Sequence, residues 1–372
     1  MNHIINHLKN DLVLTASMIL AFVSMFIIPP SSAYVDYIDV NVILILFCLM
    51  AVISGLTKAG LFNFISFEIK EKTNNIRVLS FILIFLCFFL SMFVTNDVAL
   101  ITFVPFTIAL LKDITPKVLI KIIVMETIAA NLGSMMTPIG NPQNLYLYSF
   151  YDIKILDFIK IMFPLGFMSF LLVTAGILII KDDKKSIVLE KSDFDISEIK
   201  YKNYIFYLVM FMICILGVLE IISTVACFLI ITFGIFISDK NVLKEIDYGL
   251  LFTFLFFFIF TGNISSITSV NSLISQTLVG KELVTTLLLS QILSNVPATL
   301  MLSNFTSEYE LLLKGSNIGG LGSIVASLAS LISFRYYIKI QNADIKGYLI
   351  NFTAMNLIFL FILFSFTILG IG

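Results

Sequence analysis

The sequence has little charge. Charged residues make up 13% of its 372 residues and hydrophobic residues 59%, and the mean hydropathy is +1.04. A soluble domain contains about 25% charged residues, so this composition predicts a polytopic helical protein whose main partner is the lipid bilayer. The net charge of −1 argues against a nucleic-acid partner, because proteins that bind nucleic acids carry basic patches.

Catalytic groups are also scarce. Both histidines, His3 and His7, precede the first apolar run, which excludes an intramembrane zinc protease or a Ser–His dyad. The nucleotide-binding pattern Gly-x-x-x-x-Gly-Lys-Ser/Thr is missing, so transport driven by ATP would need a separate subunit. The four cysteines lie in separate apolar runs, as buried small hydrophobic residues do. We therefore expect no enzyme and no cofactor, and a channel is the rival from another class.

A long apolar run in the first half contains a single charge. The run Val78 to Leu111 has 34 residues, and Asp97, within Thr95-Asn96-Asp97, is its only charged residue. About 20 residues span the hydrocarbon as one upright helix. An Asp at that depth costs about 2.5–3.5 kcal/mol on insertion scales, so it is usually functional or paired. The run 78–111 is therefore predicted to be a re-entrant hairpin.

The second half contains the same interruptions in the same order. Ser294-Asn295 lies inside the apolar run 283–313, which predicts a second hairpin. Asn131-Leu-Gly-Ser134 follows the first hairpin and Asn317-Ile-Gly-Gly320 follows the second, within the predicted broken helices 118–151 and 316–338. Such repetition is typical of transporters built from two internal repeats.

The distribution of lysine and arginine predicts the topology. With the N-terminus in the cytoplasm and hairpins that open to opposite sides, four of the 23 basic residues lie outside: Lys154, Lys160, Lys281 and Lys314. This agrees with the excess of positive charge in cytoplasmic loops. The fold class is therefore an all-α polytopic membrane protein with two inverted-topology repeats, each with a re-entrant hairpin and a broken transmembrane helix. The repeats are 1–181 and 222–372, joined by a cytoplasmic linker and linker helix at 182–221, with nine crossings in total.

The interruptions supply oxygen ligands. A broken helix frees backbone groups that other protein groups, water or an ion must satisfy, and sodium prefers hard oxygen ligands. Half-helix N-termini can attract an anion. The candidate ion- and substrate-binding residues are Thr95, Asn96, Asp97, Asn131, Gly133, Ser134, Thr137, Asn141, Gln143, Asn144, Ser294, Asn295, Asn317, Gly319 and Gly320. Na⁺ could bind at Thr95, Asn96, Ser294 and Asn295.

Several of these residues have alternative roles. Asp97 could ligate a cation, carry a proton or cap the following half-helix. Glu126 is the second candidate for a coupling carboxylate, and an internal hydrogen bond is its alternative role. Gln143 and Asn144 could contact the substrate or satisfy the polar groups of the helix break.

With these motifs, the chain resembles the ion transporter superfamily, which includes arsenite-pump permeases, sodium/proton antiporters, and citrate and divalent-anion symporters. In the anion symporters a Ser-Asn-Thr signature marks each hairpin tip, the tip and the broken helix hold sodium, and the substrate lies between the tips. Thr95-Asn96 and Ser294-Asn295 match its first two positions, whereas Asp97 and Val296 replace the Thr. The Asn-Asp pair is more similar to the arsenite-pump and antiporter branch. The resemblance implies an elevator motion and a homodimer.

Together these observations predict a multi-pass secondary transporter of the inner membrane. It would carry a small carboxylate or oxyanion by alternating access, as a symporter or antiporter coupled to a Na⁺ or H⁺ gradient. The alternatives are a Na⁺/H⁺ antiporter and a proton-coupled arsenite efflux permease, in both of which Asp97 would carry the exchanged proton.

Overall fold

The computed structural model describes residues 12–61, 75–111, 114–178, 180 and 201–370, and within these ranges the chain contains helices and no strand. The predicted linker between 181 and 200 lies outside the described residues. The α-helices are α1 (Leu12–Ile27), α2 (Ala33–Tyr37), α3 (Val40–Lys58), α4 (Ile76–Val94), α5 (Asn96–Leu110), α6 (Pro116–Ser134), α7 (Pro142–Phe150), α8 (Ile155–Leu178), α9 (Tyr201–Val218), α10 (Thr224–Asp239), α11 (Tyr248–Ser266), α12 (Thr268–Leu278), α13 (Glu282–Leu293), α14 (Asn295–Ser303), α15 (Tyr309–Gly319), α16 (Leu328–Tyr337) and α17 (Ile345–Ile368). A 3₁₀ helix, Lys240–Glu245, extends α10.

Six helical segments of the described chain are long and apolar enough to cross a membrane: α3, α4, α8, α10 with its 3₁₀ extension, α11 and α17. Their outer faces are apolar. Phe236, Leu178 and Phe361 expose 60%, 74% and 69% of their surfaces, which lipid rather than water would cover. The all-helical membrane class expected from the composition is confirmed.

Aspartate side chains begin several of the helices that could span the membrane. Asp39 accepts a hydrogen bond from the Val42 amide at the start of α3, and Asp247 accepts one from the Leu250 amide at the start of α11. Asp344 does the same for α17. These caps satisfy amides that have no partner within the helix, so each apolar segment begins where a polar residue precedes it.

One residue separates the two helices of each hairpin. Thr95 between α4 and α5 has φ 71° and ψ 152°, and Ser294 between α13 and α14 has φ 78° and ψ 153°. A positive φ is uncommon for residues other than glycine, yet here it occurs at matching positions in both halves. The helices on either side of each break pack against each other. The described chain therefore contains two helical hairpins with the same tip conformation.

The bounds of the first hairpin and first broken helix lie within two residues of the predicted 78–111 and 118–151. The bounds of the second pair differ from those predicted. Helix α14 ends at Ser303 and α15 begins at Tyr309, so residues 309–313 belong to the broken helix and not to the predicted hairpin 283–313. Thr306 accepts a hydrogen bond from the Glu308 amide in the intervening turn. Phe305 is buried, so the turn does not interrupt the apolar pattern.

The described helices form two groups. The hairpin bundle comprises α4–α8 and α13–α17, in which α6 packs on α4, α5, α8 and α17, and α16 packs on α5. The flanking bundle comprises α1–α3 and α9–α12, in which α11 packs on α1 and α3 packs on α9 and α10. The main contacts between the groups are α11 with α14 and α3 with α7.

Candidate functional site

Each hairpin tip is joined to the break in the broken helix of its own half. The Asn96 amide donates to the Gly140 carbonyl at 3.1 Å, and the Asn295 amide donates to the Ala326 carbonyl at 2.9 Å. Each acceptor is freed by a break, and each donor is the first residue after a tip. In each half, the same backbone hydrogen bond therefore satisfies a carbonyl that the helix break leaves without a partner in its helix.

A second bond between hairpin and break also occurs in both halves. The Thr137 hydroxyl donates to the Met92 carbonyl in the first half. The Ser323 hydroxyl donates to the Gln291 carbonyl at 3.0 Å in the second. The proton of the Thr137 hydroxyl is thus donated to a backbone carbonyl of the hairpin.

The two breaks have the same length and register. Asn131 precedes Asn141 by ten residues, and Asn317 precedes Ser327 by ten. Asn141 and Ser327 are the extended residues just before α7 and α16. Residues of the first break therefore correspond to residues 186 positions later in the chain. This correspondence was visible in the sequence only as two similar motifs.

Asn131 joins the first break to the second half. Its Oδ1 accepts from Asn96 Nδ2 at 2.9 Å and from the Ser327 hydroxyl at 3.1 Å. Its Nδ2 donates to the Ser330 hydroxyl at 3.4 Å. All four side chains are buried, so the Asn131 amide connects one hairpin tip to the opposite broken helix.

Asn317 makes the reciprocal connection from the second break. Its Oδ1 accepts from Asn141 Nδ2 at 3.1 Å. Its Nδ2 donates to Asn144 Oδ1 at 2.7 Å and to the Leu313 carbonyl at 2.8 Å. The two broken helices are therefore cross-linked at the centre of the hairpin bundle by amides that satisfy one another.

The remaining polar candidates of the first break mainly satisfy its backbone. The Ser134 hydroxyl donates to the Asn131 carbonyl at 2.9 Å and accepts from Asn141 Nδ2 at 3.1 Å. Asn144 Nδ2 donates to three carbonyls of the break, that of Thr137 among them at 3.2 Å. Gln143 is buried beside Asn144 in the first turn of α7. The bonds of Asn144 fit its structural alternative.

The glycines of the breaks allow close packing of helices. A Cβ at Gly133 would overlap the Phe88 carbonyl of α4, and one at Gly319 would overlap the Ser290 side chain of α13. Asn295 Nδ2 donates to the Ser316 carbonyl at 3.3 Å, and a Cβ at Gly320 would crowd that amide. These glycines bring each hairpin against its break.

A cavity of about 470 Å³ reaches the first hairpin tip. Its polar lining includes Thr95, Asp97 and Asn141 from the hairpin bundle, and Lys58, Glu245 and Asp247 from the flanking bundle and its 3₁₀ extension. Lys58 Nζ lies 2.6 Å from Asp239 Oδ2, so its charge is already neutralised. The three other charged groups of this lining are carboxylates, which makes the cavity acidic.

The Asp97 side chain does not cap α5 among the described residues. The Asp97 amide donates to Asn96 Oδ1 at 3.0 Å, whereas no bond of the Asp97 carboxylate accompanies it in the described chain. Asp97 instead lines the cavity. Sequence reasoning missed Glu245 and Asp247, because they come from the other bundle and lie outside every motif.

Glu126 lies away from the cavity. It is fully buried in α6, and its Oε1 accepts from the Thr107 hydroxyl of α5 at 2.5 Å. Its Oε2 has no hydrogen-bond partner in the described part of the chain. The structure therefore shows the internal hydrogen bond that was the alternative for Glu126, and it does not bring Glu126 together with Asp97.

The second tip is more enclosed than the first. Ser294 and Asn295 are buried and do not line the cavity at Asp97. The position that corresponds to Asp97 is occupied by Val296, which is 5% exposed. Of the Na⁺ ligands predicted at the two tips, Thr95 lines the cavity, whereas Asn96, Ser294 and Asn295 are buried.

Apolar outer faces, with interrupted helices whose polar residues meet in the interior, define a multi-pass membrane transporter. The family model described as "Citrate transporter" matches residues 4–309. The chain therefore belongs to the citrate transporter family, and it is a transporter rather than an enzyme.

Two relatives cover most of the chain. An uncharacterized transporter of Methanocaldococcus jannaschii is 35% identical over 296 residues, 78% of this chain and 79% of the relative. The inner membrane protein YbiR of Escherichia coli is 29% identical over 301 residues, 80% of each chain. The P protein of Mus musculus is 26% identical over 129 residues, 34% of this chain and 15% of that protein.

Proposed function

We propose that the protein is a secondary active transporter that carries a small carboxylate or oxyanion across the inner membrane, coupled to a Na⁺ or H⁺ gradient. The observation that carries the proposal is the polar centre where two broken helices cross-link through Asn131 and Asn317, with a cavity that reaches it from one side. Alternating access requires such a centre. The homodimer expected from the family resemblance stays a prediction.

Contacts between helix ends support the inverted topology. Lys58 at the end of α3 pairs with Asp239 at the end of α10, and both ends are predicted to be cytoplasmic. At the opposite end of α3, Asp39 accepts from the Ser149 hydroxyl of α7 at 3.3 Å, where both residues are predicted to lie outside. A topology in which one repeat is inverted relative to the other satisfies both contacts.

The same topology makes the described conformation inward-open. The cavity extends from Asp97 towards Asp247, on the predicted cytoplasmic side. On the predicted outer side, Tyr146 and Ser303 share a hydrogen bond of 2.6 Å between their hydroxyls. The Tyr151 hydroxyl donates to the Ser303 carbonyl at 2.7 Å. These bonds join the first broken helix to the second hairpin and would have to break for the outward-open state.

An anion at this centre would be held without a basic side chain, because neither pair of motifs contains lysine or arginine. Helices α5 and α7 begin at the first tip and the first break, and helix N-termini carry partial positive charge. The family description supports a carboxylate. A co-transported cation bound near Asp97 would offset the negative charge of the cavity before the anion binds.

A second candidate function follows from that negative charge. Asp97, Glu245 and Asp247 line the cavity, and the lysine beside them is paired. Such a lining favours a cation over an anion. The alternatives are therefore a Na⁺/H⁺ antiporter with Asp97 as the exchanging carboxylate, and proton-coupled efflux of arsenite.

The two candidates differ in what a gradient drives. We would reconstitute the protein in liposomes, impose a sodium or a pH gradient separately, and record internal pH and uptake of labelled citrate, succinate, sulfate and arsenite. Accumulation of one anion driven by a gradient is the result that we expect. Proton flux driven by sodium, with no anion required, would refute the anion carrier and leave the antiporter.

Asp97→Asn tests the cation role in the same assay. We expect this variant to lose coupled accumulation, because the only carboxylate of the tip that faces the cavity is removed. Glu245→Gln is the matched control, since it neutralises a carboxylate at the flanking side of the same cavity and should change apparent affinity only. Full accumulation by Asp97→Asn would show that the coupling ion does not use Asp97.

A further inference from the structure

The side chain of Gln291 fills the second helix break. Its Nε2 donates to the carbonyls of Gly319 at 3.0 Å and Leu321 at 2.9 Å, and to that of Leu287 in its own helix at 3.2 Å. Its Oε1 accepts from the Ser323 amide at 2.8 Å. One uncharged amide thus satisfies carbonyl oxygens on both sides of the point where α15 ends.

The backbone of the break is shaped around this amide. Gly322 has φ +104°, and a Cβ there would overlap Gln291 Oε1. The bond from the Ser323 hydroxyl to the Gln291 carbonyl holds the same segment from the other side. The break and the side chain therefore form one socket, and only glycine at 322 leaves room for the amide.

The first break is bonded more weakly, because the amide that reaches its carbonyls is that of Asn144, at 3.2–3.4 Å. The residue that corresponds to Gln291 is Met92, whose thioether has no hydrogen to donate. The carbonyl of Gly133 accepts from the Met136 amide at 3.1 Å. That of Met135 accepts from Asn144 Nδ2 at 3.4 Å, close to the limit of a hydrogen bond. The Gly133 carbonyl also accepts from the Met135 amide, whereas the Met135 carbonyl keeps a lone pair for a further ligand.

The two tips also differ in the oxygen ligands that they offer to a cation. The first tip places Asp97 in the cavity, whereas the second places Val296 at the corresponding position. Hard cations bind carboxylate, carbonyl and hydroxyl oxygens. The first break offers all three classes. The second has no carboxylate, and its carbonyls bind the Gln291 amide at 2.9–3.0 Å, closer than the 3.2–3.4 Å of the Asn144 amide in the first break.

We infer that the Gln291 amide takes the place of a coupling cation in the second half, so that the described breaks provide a single cation site, at Thr95–Asp97. The inference rests on the proposed cation coupling and refines it to one ion per transport cycle. A cation at the second break would have to displace Nε2 from the Gly319 and Leu321 carbonyls. Val296 has no carboxylate to neutralise the charge of that cation.

The number of bound ions tests this directly. We would measure saturating binding of ²²Na⁺ to the purified full chain in nanodiscs by equilibrium dialysis. The wild type should bind one ion per chain. Val296→Asp should bind no more than the wild type, because Gln291 still fills the break. Val296→Asp combined with Gln291→Met, which places the residues of the first half at these two positions, should bind one additional ion.

Three results would overturn the inference: two ions bound by the wild type, an additional ion bound by Val296→Asp alone, or no additional ion in the folded double variant. Met92→Gln is the reciprocal test if the Val296 variants do not fold. It should abolish the binding of the single ion, and unchanged binding would contradict us. A wild type that binds no Na⁺, with a gain of one ion in the double variant, would support the role of Gln291 and refute sodium coupling in the proposed function.

Discussion

Asn317→Ala should lower the free energy of unfolding, because it removes the hydrogen bonds that join the two broken helices. Asn317 is 3% exposed and bonds to Asn141, Asn144 and Leu313. Its loss leaves Asn144 Oδ1 without a partner among the described residues, whereas Asn141 keeps its bond to Ser134. A buried polar atom without a partner costs about 1–3 kcal/mol, and each further hydrogen bond lost costs about 0.5–1.5 kcal/mol. With two such further bonds lost, we expect a destabilisation of about 2–6 kcal/mol.

The chain supplies its own probe for this measurement. It contains no tryptophan, but Cys48, Cys87, Cys214 and Cys227 are free and buried, so a thiol-reactive dye reports thermal unfolding. A buried thiol reacts when the helices around it separate. The melting temperature of Asn317→Ala in detergent can therefore be compared with that of the wild type.

Asn356→Ala is the matched control. Asn356 is as buried as Asn317, but its Nδ2 donates to the Phe352 carbonyl of its own helix and its Oδ1 has no partner among the described residues. Its removal should cost less, because no cross-link between the halves is lost. Equal melting temperatures for the two variants would refute the reasoning, as would strict additivity of Asn317→Ala and Asn144→Ala, since bonded residues should couple by about 0.5–3 kcal/mol.

Two further predictions use the same dye assay. Thr107→Val should destabilise the protein by about 1–3 kcal/mol, because both carboxyl oxygens of Glu126 then lack a donor among the described residues. Thr174→Val, which removes a bond within one helix, is its control, and equal effects would contradict the argument. Gly133→Ala should prevent folding or lower the melting temperature strongly, because its Cβ would overlap a backbone carbonyl of α4, whereas Gly234→Ala meets only side chains at 3.4 Å and should be tolerated.

Local patterns in the sequence were sufficient to locate the interruptions of the long apolar runs. Thr95-Asn96-Asp97 interrupts an otherwise uncharged run, and glycine and proline interrupt the runs that follow. Each interruption is a local departure from apolar helix composition, which a single sequence reveals. The turn near Phe305 escaped notice for the same reason, because a buried aromatic residue continues the apolar pattern across it.

The partners of the polar residues could not be predicted, because pairing across the two halves leaves no local pattern. Asn131 and Asn317 are predicted to bind ions or substrate, which stays a prediction, and the sequence did not reveal that they also bond to the opposite broken helix. Glu126 is the second candidate for a coupling carboxylate, and the sequence did not reveal that Thr107 would be its hydrogen-bond partner. Gln291 lies one helical turn before the second tip and is the single polar amide of its helix, a position that gives no hint of the socket around it.

The two halves have the same backbone conformation at the tip and differ in the side chains that bond to the break. Both tips have the same positive φ, and both tip amides bond to the break of their own half. In the second half the break is satisfied by Gln291, so its geometry does not depend on an ion. In the first half Asp97 faces a cavity, and the corresponding carbonyls have weaker partners. We therefore expect the second break to keep its shape through the transport cycle, while the first changes with the ion that it binds and releases.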